Sequence, residues 1–310
     1  MRRKTRVVAT LVGGVSAFLL GGAKPVNPPP VPFVPALAYK YGSQDIRLAN
    51  ADGSQAVLLV RQPSGTSPLW LAIAPISKRQ VAYIDGTDGF VRAVRLVSWT
   101  QAANGGSLTV TIDPEPLITR GPSDSIELRG LDYSPDGTQL AVLATDSVAR
   151  TELRFFDVAT RAQIGETILL PQLAQGLSWR SSDNSILLRG TQGMSSFKNG
   201  VQTSLFGGNT GTEFDAFNGG APEVMLPYSG PGPGGTAYRW DGVTVTGGEP
   251  LLTQLVVGLG WSVSCDNSRL IYTDFAARRA SFNMILATGE KVPFSKDSSV
   301  QRMEYPNSCA

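Results

Sequence analysis

Across residues 36–310 apolar positions either alternate with polar ones or cluster in short runs rich in Val, Leu, Ile and aromatics. Helical periodicity is hard to find, and such alternation is the signature of half-buried strands. One phrase keeps returning: an aromatic or apolar residue, a short polar turn, then a strand. Its clearest copy is LDYSPDGTQLAVLATD at 131–146. LAIAPISKRQVAYID (71–85), LSWRSSDNSILLRG (177–190) and LGWSVSCDNSRLIYTD (259–274) repeat it, and FDAFNGGAPEVMLPY (214–228) matches by position. Hairpin turns lie between or beside these copies, at Asp52-Gly53, Asp157 to Arg161, Asn199-Gly200, Asp241-Gly242 and Thr288-Gly289. Asn-Gly and Asp-Gly supply the positive φ angles a tight hairpin needs. Phrase plus turn therefore encodes a four-stranded antiparallel meander. Repeats of this period close radially into a propeller, which hides sheet edges.

The starts near 71, 131, 177, 214 and 259 make five copies. A sixth begins at 303–309, where MEYPNSC aligns with LGWSVSC at 259–265 as aromatic, two residues, Ser, Cys. That copy is incomplete, and the strands it lacks are available near residue 38. The expectation is an all-β, six-bladed propeller, with five or seven blades also compatible with the spacing. A C-terminal strand joining the N-terminal blade would close it and leave no edge unpaired.

The N-terminus reads differently. Arg2, Arg3, Lys4 and Arg6 precede an uncharged run over 7–22, and Gly21 and Ala23 offer small residues for cleavage. The run has 16 residues, short of the roughly 20 that span a bilayer. Residues 1–23 are thus expected to be a signal peptide, cleaved or retained as an anchor, with no transmembrane span once it is removed. No cysteine follows to accept a lipid. Residues 24–37 contain KPVNPPPVPFVP, whose prolines fix an extended backbone, so this stretch reads as a stiff linker or a docking peptide. The propeller is assigned to 38–310. Without residues 1–23 the charge balance is 23 basic against 25 acidic groups, so no basic face exists for nucleic acid.

The sequence contains no histidine and only two cysteines. A Ser-His-Asp site is excluded, and zinc, copper and haem chemistry is disfavoured. A carboxylate-only hydrolase would have to use Asp85, Asp88, Asp132, Asp136, Asp146, Asp157 or Asp215, most of which read as turn residues. No cofactor is expected; the one cation candidate is a calcium bend over Tyr83 to Gly89. Trp179 and Trp261 share the repeated aromatic position with Tyr133 and are expected to pack between blades. Trp99 lies on a lengthened hairpin beside Ser98, Thr100 and Gln101, a candidate contact surface. The loops at 207–212 and 230–235 are expected to be connections. Cys265 and Cys309 hold equivalent places in adjacent copies and form a candidate disulfide in an oxidising compartment.

SPDGTQLAVL at 134–143 and DIRLANADGS at 45–54 resemble the TolB-like (WD40-like, PD40) propeller repeats of bacterial envelope proteins. The resemblance covers most of 38–309 and concerns the propeller part alone; nothing in 1–37 reads as the α/β domain that precedes the propeller in TolB. It implies a non-catalytic binding or assembly module with protein partners in the envelope, located in the periplasm or at the cell surface. The alternatives are an extracellular ligand binder, a carboxylate-dependent hydrolase of envelope sugars or peptides, and a structural subunit of a surface assembly.

Overall fold

The computed structural model describes residues 33–87, 92–102, 107–120, 126–146, 150–181, 183–190, 193–207, 214–215, 223–227, 235–240, 252–255, 261–266, 268–274, 280–295 and 299–306. The first sheet contains β1 (Leu37–Tyr41), β2 (Asp45–Ala49) and β3 (Val57–Arg61). β4 (Thr66–Ile73), β5 (Gln80–Thr87), β6 (Arg92–Gln101) and β7 (Leu108–Ile112) make the second, and the short β8 (Ile118–Arg120) also pairs with β6. The third holds β9 (Ile126–Tyr133), β10 (Gln139–Asp146), β11 (Thr151–Asp157) and β12 (Gln163–Leu170). The fourth holds β13 (Gly176–Trp179), β14 (Ile186–Gly190), β15 (Gly193–Lys198) and β16 (Val201–Gly207). β17 (Phe214–Asp215), β18 (Glu223–Pro227), β19 (Gly235–Trp240), β20 (Leu252–Leu255), β21 (Trp261–Val263), β22 (Arg269–Asp274), β23 (Ala280–Ile285) and β24 (Lys291–Ser295) form the fifth. β25 (Val300–Glu304) then returns to the first sheet and pairs antiparallel with β1.

The chain is an all-β propeller. β25 packs beside β4, β4 beside β9, β9 beside β13, β14 beside β17 and β21 beside β25, which carries the inner strands around a common axis. Six separate sheets do not form: the described strands make five, the lower count the spacing allows. The reason is the pair Leu255↔Asp274, which bonds β20 to β22 and joins two successive meanders into one eight-stranded sheet. The expected closure by the C-terminal strand is present, with Ala38 opposite Glu304 and Tyr41 opposite Val300.

The repeated phrase has a single structural meaning. It builds the tight turn between the first two strands of a meander, closed by one backbone bond per copy. Ala74 N–H donates to Gln80 O, Ser134 to Gln139, Arg180 to Ser185 and Ser264 to Arg269, all at 2.8–2.9 Å. A positive φ ends the turn at Arg79, Gly137 and Asn184. The Asn199-Gly200 hairpin has φ of 51° and 81°, as its dipeptide requires. Asp241-Gly242 lies outside the described residues, as do most of the loops at 207–212 and 230–235.

Between neighbouring sheets the facing side chains form buried apolar clusters. Leu128, Tyr133, Leu140 and Phe156 pack with Ala82, Ile84 and Val94 across the second and third sheets. Trp179, Ile186 and Phe197 pack with Leu143 and Leu153 across the third and fourth. Tyr133 and Trp179 are therefore blade-to-blade core, as the repeat implies. The Trp261 side chain lies outside the described set. Residues 1–32 also lie outside it, but the end of the proline-rich stretch does not behave as a free linker: Phe33 is buried against the first and second sheets. Gln101 Nε2 donates to Phe33 O, and Val34 N–H donates to Asn50 Oδ1.

Candidate functional site at the arginine-bearing end

The lengthened hairpin does not present its tryptophan. Trp99 is 3% exposed, packed with Ile46, Leu48, Val81 and Val97 between the first and second sheets. Alternation along β6 places Trp99 inward and Thr100 outward, and Gln101 is engaged with Phe33. Ser98, half-buried, and Thr100 cannot by themselves make a contact patch. Sequence placed Trp99 outside because its flanks are polar, yet period-2 alternation gives polar flanks to any inward strand residue.

Four of the seven candidate carboxylates, Asp85, Asp132, Asp136 and Asp157, have described side chains, and each of these is engaged. Asp136 accepts from Ser134 Oγ at 2.6 Å and from the N–H and Oγ1 of Thr138. Asp266 has the same bonds from Ser264 and Ser268, Asp183 from Ser185, and Asp52 from Ser54. Burial alone would raise the Asp136, Asp183 and Asp266 carboxyls, but these hydrogen bonds together outweigh it and lower them. At Asp157 the Thr160 backbone and hydroxyl do the same. A glycosidic general acid needs the opposite shift. Asp132 accepts from Trp179 N–H at 2.6 Å and Tyr133 N–H at 2.8 Å, stapling the third sheet to the fourth. Asp85 pairs with Arg95 at 2.5 Å. Asp88 and Asp215 side chains and that of Asp146 lie outside the described set.

Tyr83 to Thr87 is not a bend but part of β5, bonded on both sides to β4 and β6, so its carbonyls serve the ladders. Asp88 and Gly89 lie outside the described residues. Among the described residues no three His, Cys, Asp or Glu side chains gather to hold a metal ion. A cleft of about 270 Å³ opens between the turns of the third and fourth sheets, lined by Ser134, Asp136, Gln139, Trp179 and Asn184 among others. Small-molecule pockets usually start near 300 Å³, and here the polar groups are tied to their own turns. Among the described residues the exposed large apolar side chains are Val34, ahead of β1, and Leu58, Ile112, Ile164, Leu169 and Val201 on β3, β7, β12 and β16, the outermost strands of four different sheets. Scattered in that way they make no patch.

The opposite end of the propeller is chemically distinct. Three strands carry an acid-x-arginine triplet at or one residue after their start there: Asp45-Ile46-Arg47 on β2, Glu127-Leu128-Arg129 on β9 and Glu152-Leu153-Arg154 on β11. Alternation puts acid and arginine on one face, and a neighbouring strand brings a second arginine to each acid. Asp45 takes Arg61 Nε at 2.8 Å and Arg47 Nη2 at 3.3 Å. Glu127 pairs with Arg129 and, at 3.5 Å, with Arg92. Glu152 takes Arg154 at 2.7 Å and Arg120 at 2.9 Å. The Arg61 hydrogen bond, joined by Arg47, holds the Asp45 carboxyl below its usual range against burial. Each triad carries one more positive than negative charge, and Arg61 and Arg129 keep 64% and 44% of their side chains exposed. The triplets were in the sequence, but only pairing shows that each acid meets two arginines.

No family model matches the chain, and no curated protein matches its sequence. Solved structures do. TolB from Acinetobacter baumannii is similar over 89% of this chain and 67% of its own, with a TM-score of 0.62 and 15% identity. An oligogalacturonate lyase in complex with manganese is similar over 83% of this chain and 78% of its own, with a TM-score of 0.50 and 13% identity. The fold is that of TolB-like propellers.

Proposed function

We propose that this chain is a non-catalytic protein-binding module of the cell envelope that meets its partner through the arginine-bearing end. The three arginine–acid–arginine triads carry the reading. Arginine is enriched in protein interfaces, and here its forks are pre-positioned by their acids, so little side-chain entropy is lost on contact. A partner face with an excess of acidic groups fits that end. The likeness to a TolB propeller supports the same class of role, although fold by itself does not establish it.

The reading includes no cofactor and no catalytic step; the lowered aspartates weigh against the hydrolase alternative. It places the protein in the periplasm or at the cell surface, on the strength of the charged, apolar and small-residue sequence at 1–23. Among the described residues no helix is long and apolar enough to cross a membrane. A Cys265–Cys309 bridge belongs to the proposal. Cys265 follows β21, which packs beside β25, and no cysteine among the described residues is free, while Cys309 lies outside them.

Crosslinking and pull-down from native membranes tests this reading. Wild-type protein should recover one protein at fixed stoichiometry, and Arg61→Gln with Arg129→Gln should cut recovery several-fold without moving the melting curve. Turnover of envelope sugars or peptides by protein that captures no partner would overturn it.

A further inference from the structure

Where the second and third sheets meet at the arginine-bearing end, two like charges face each other. Arg92, the first residue of β6, stands directly opposite Arg120, the last residue of β8. Side chains opposed in this way share one face of a sheet with Cβ atoms about 5 Å apart, and a like-charged pair there is destabilising. Val94 and Ile118, two residues further along each strand, belong to the core between the second and third sheets, so both arginines face the third sheet. Arg120 Nη2 donates to Glu152 Oε2 at 2.9 Å, and Arg154 gives that same oxygen two bonds, at 2.7 and 3.1 Å. All three bonds fall on Oε2, leaving Glu152 Oε1 outside them. Arg92 Nη1 donates to Leu128 O at 3.2 Å and lies 3.5 Å from Glu127, which Arg129 also holds. Among the described side chains Arg92, Arg120, Arg129 and Arg154 thus rest on Glu127 and Glu152 alone, an excess of two positive charges. The Arg92, Arg120 and Arg154 side chains are only 14–23% exposed, and Arg120 Nε is buried without an acceptor. Cations drawn out of water with incomplete pairing are costly unless a counter-charge reaches them.

We infer that Arg92, Arg120 and Arg154, with Glu152, form a binding site for a phosphate group, free or as a monoester. A guanidinium carries five N–H donors, so each arginine keeps donors beyond the bonds it makes here, the orphaned Arg120 Nε–H among them. Phosphate oxygens point in tetrahedral directions and accept from several guanidinium groups at once. Near pH 7 the group carries about two negative charges, which matches the excess, whereas a carboxylate carries one. Its second ionisation lies at about pH 6, so a bound phosphate readily keeps a proton to donate to Glu152 Oε1. Sulfate, fully ionised, has no proton to give. The site stands independently of the protein-partner reading, whose test turns on the exposed Arg61 and Arg129, because a phosphate would reach these more buried groups whether or not a protein covers the same end.

Calorimetric titration of the full chain at constant ionic strength tests it, with inorganic phosphate and glycerol 3-phosphate as ligands and sulfate and acetate as competing anions. One or both phosphates should bind saturably and raise the melting temperature, and the tighter one identifies free phosphate or an esterified headgroup as the source. Sulfate and acetate should bind about tenfold more weakly or not at all. Arg92→Gln and Arg120→Gln should each weaken phosphate binding by about tenfold or more, the loss expected for one charge-assisted hydrogen bond. Arg92→Gln lies at a strand end and removes one of the two opposed cations, so it should keep the wild-type melting curve without phosphate and decides the matter even where Arg120→Gln folds poorly. Lys198→Gln, on the fourth sheet, should leave binding unaltered. The site is overturned if neither phosphate binds, if sulfate or acetate binds as tightly as both, or if the folded Arg92 variant binds phosphate like wild type.

Discussion

Single aspartates at the turns do more structural work than chemistry. Asp136 bonds Ser134 and both polar groups of Thr138, so Asp136→Ala should destabilise by about 1 kcal/mol, the net worth of exposed turn hydrogen bonds; urea melts would read it. Asp52, Asp136, Asp183 and Asp266 all have lowered pKa values. Their stabilisation is present above the unfolded-chain value near pH 4 and is lost as pH falls through the lower folded values. Melting temperature should therefore drop steadily below about pH 4, and less steeply when all four are asparagine. Glu152 is the sharper case. Its side chain is 12% exposed and lies between Arg120 on β8 and Arg154 on β11. Glu152→Ala would strand two mostly buried guanidinium groups and should cost about 3 kcal/mol.

Elements were read from the sequence with uneven success, for reasons that can be named. The phrase around Ser134-Pro135-Asp136-Gly137 was legible because turn chemistry is local: one side chain bonds its own backbone two residues on. The return of β25 to β1 was legible because an incomplete copy at one end matched a gap at the other. Gly137 shows what local chemistry leaves out. Its φ is 67°, and an added Cβ would lie 2.8 Å from Lys78 Cγ and 2.9 Å from Pro75 Cδ of the previous sheet. Gly137→Ala should thus cost more than the roughly 1 kcal/mol of backbone strain alone, as chemical denaturation would show. Trp99 and the acid-x-arginine triplets were misread or passed over because their meaning depends on the facing strand. The count of separate sheets turned on the single long-range pair Leu255↔Asp274, and composition carries no trace of such a pair.

For the whole molecule, closure rests on the last strand. Tyr305 N–H donates to Ser262 Oγ at 2.9 Å, and its hydroxyl reaches Ala51 O at 2.7 Å, linking β21, β25 and the turn after β2. A chain ending at Phe294 should aggregate or lose much of its thermal stability; a monomeric truncation with the full-length melting curve would dismiss that role. Ala38 and Glu304 sit side by side although almost the whole body of the chain separates them. Contacts of such long range are slow to form, because loop closure must be completed before pairing rewards it. The first sheet is begun before the others and completed after them, so β1 waits with one bare edge until β25 emerges. During that interval the nascent chain is a template for strand addition from other molecules. Its yield in the cell is then set by how long that edge stays open, a kinetic quantity that the finished ring conceals.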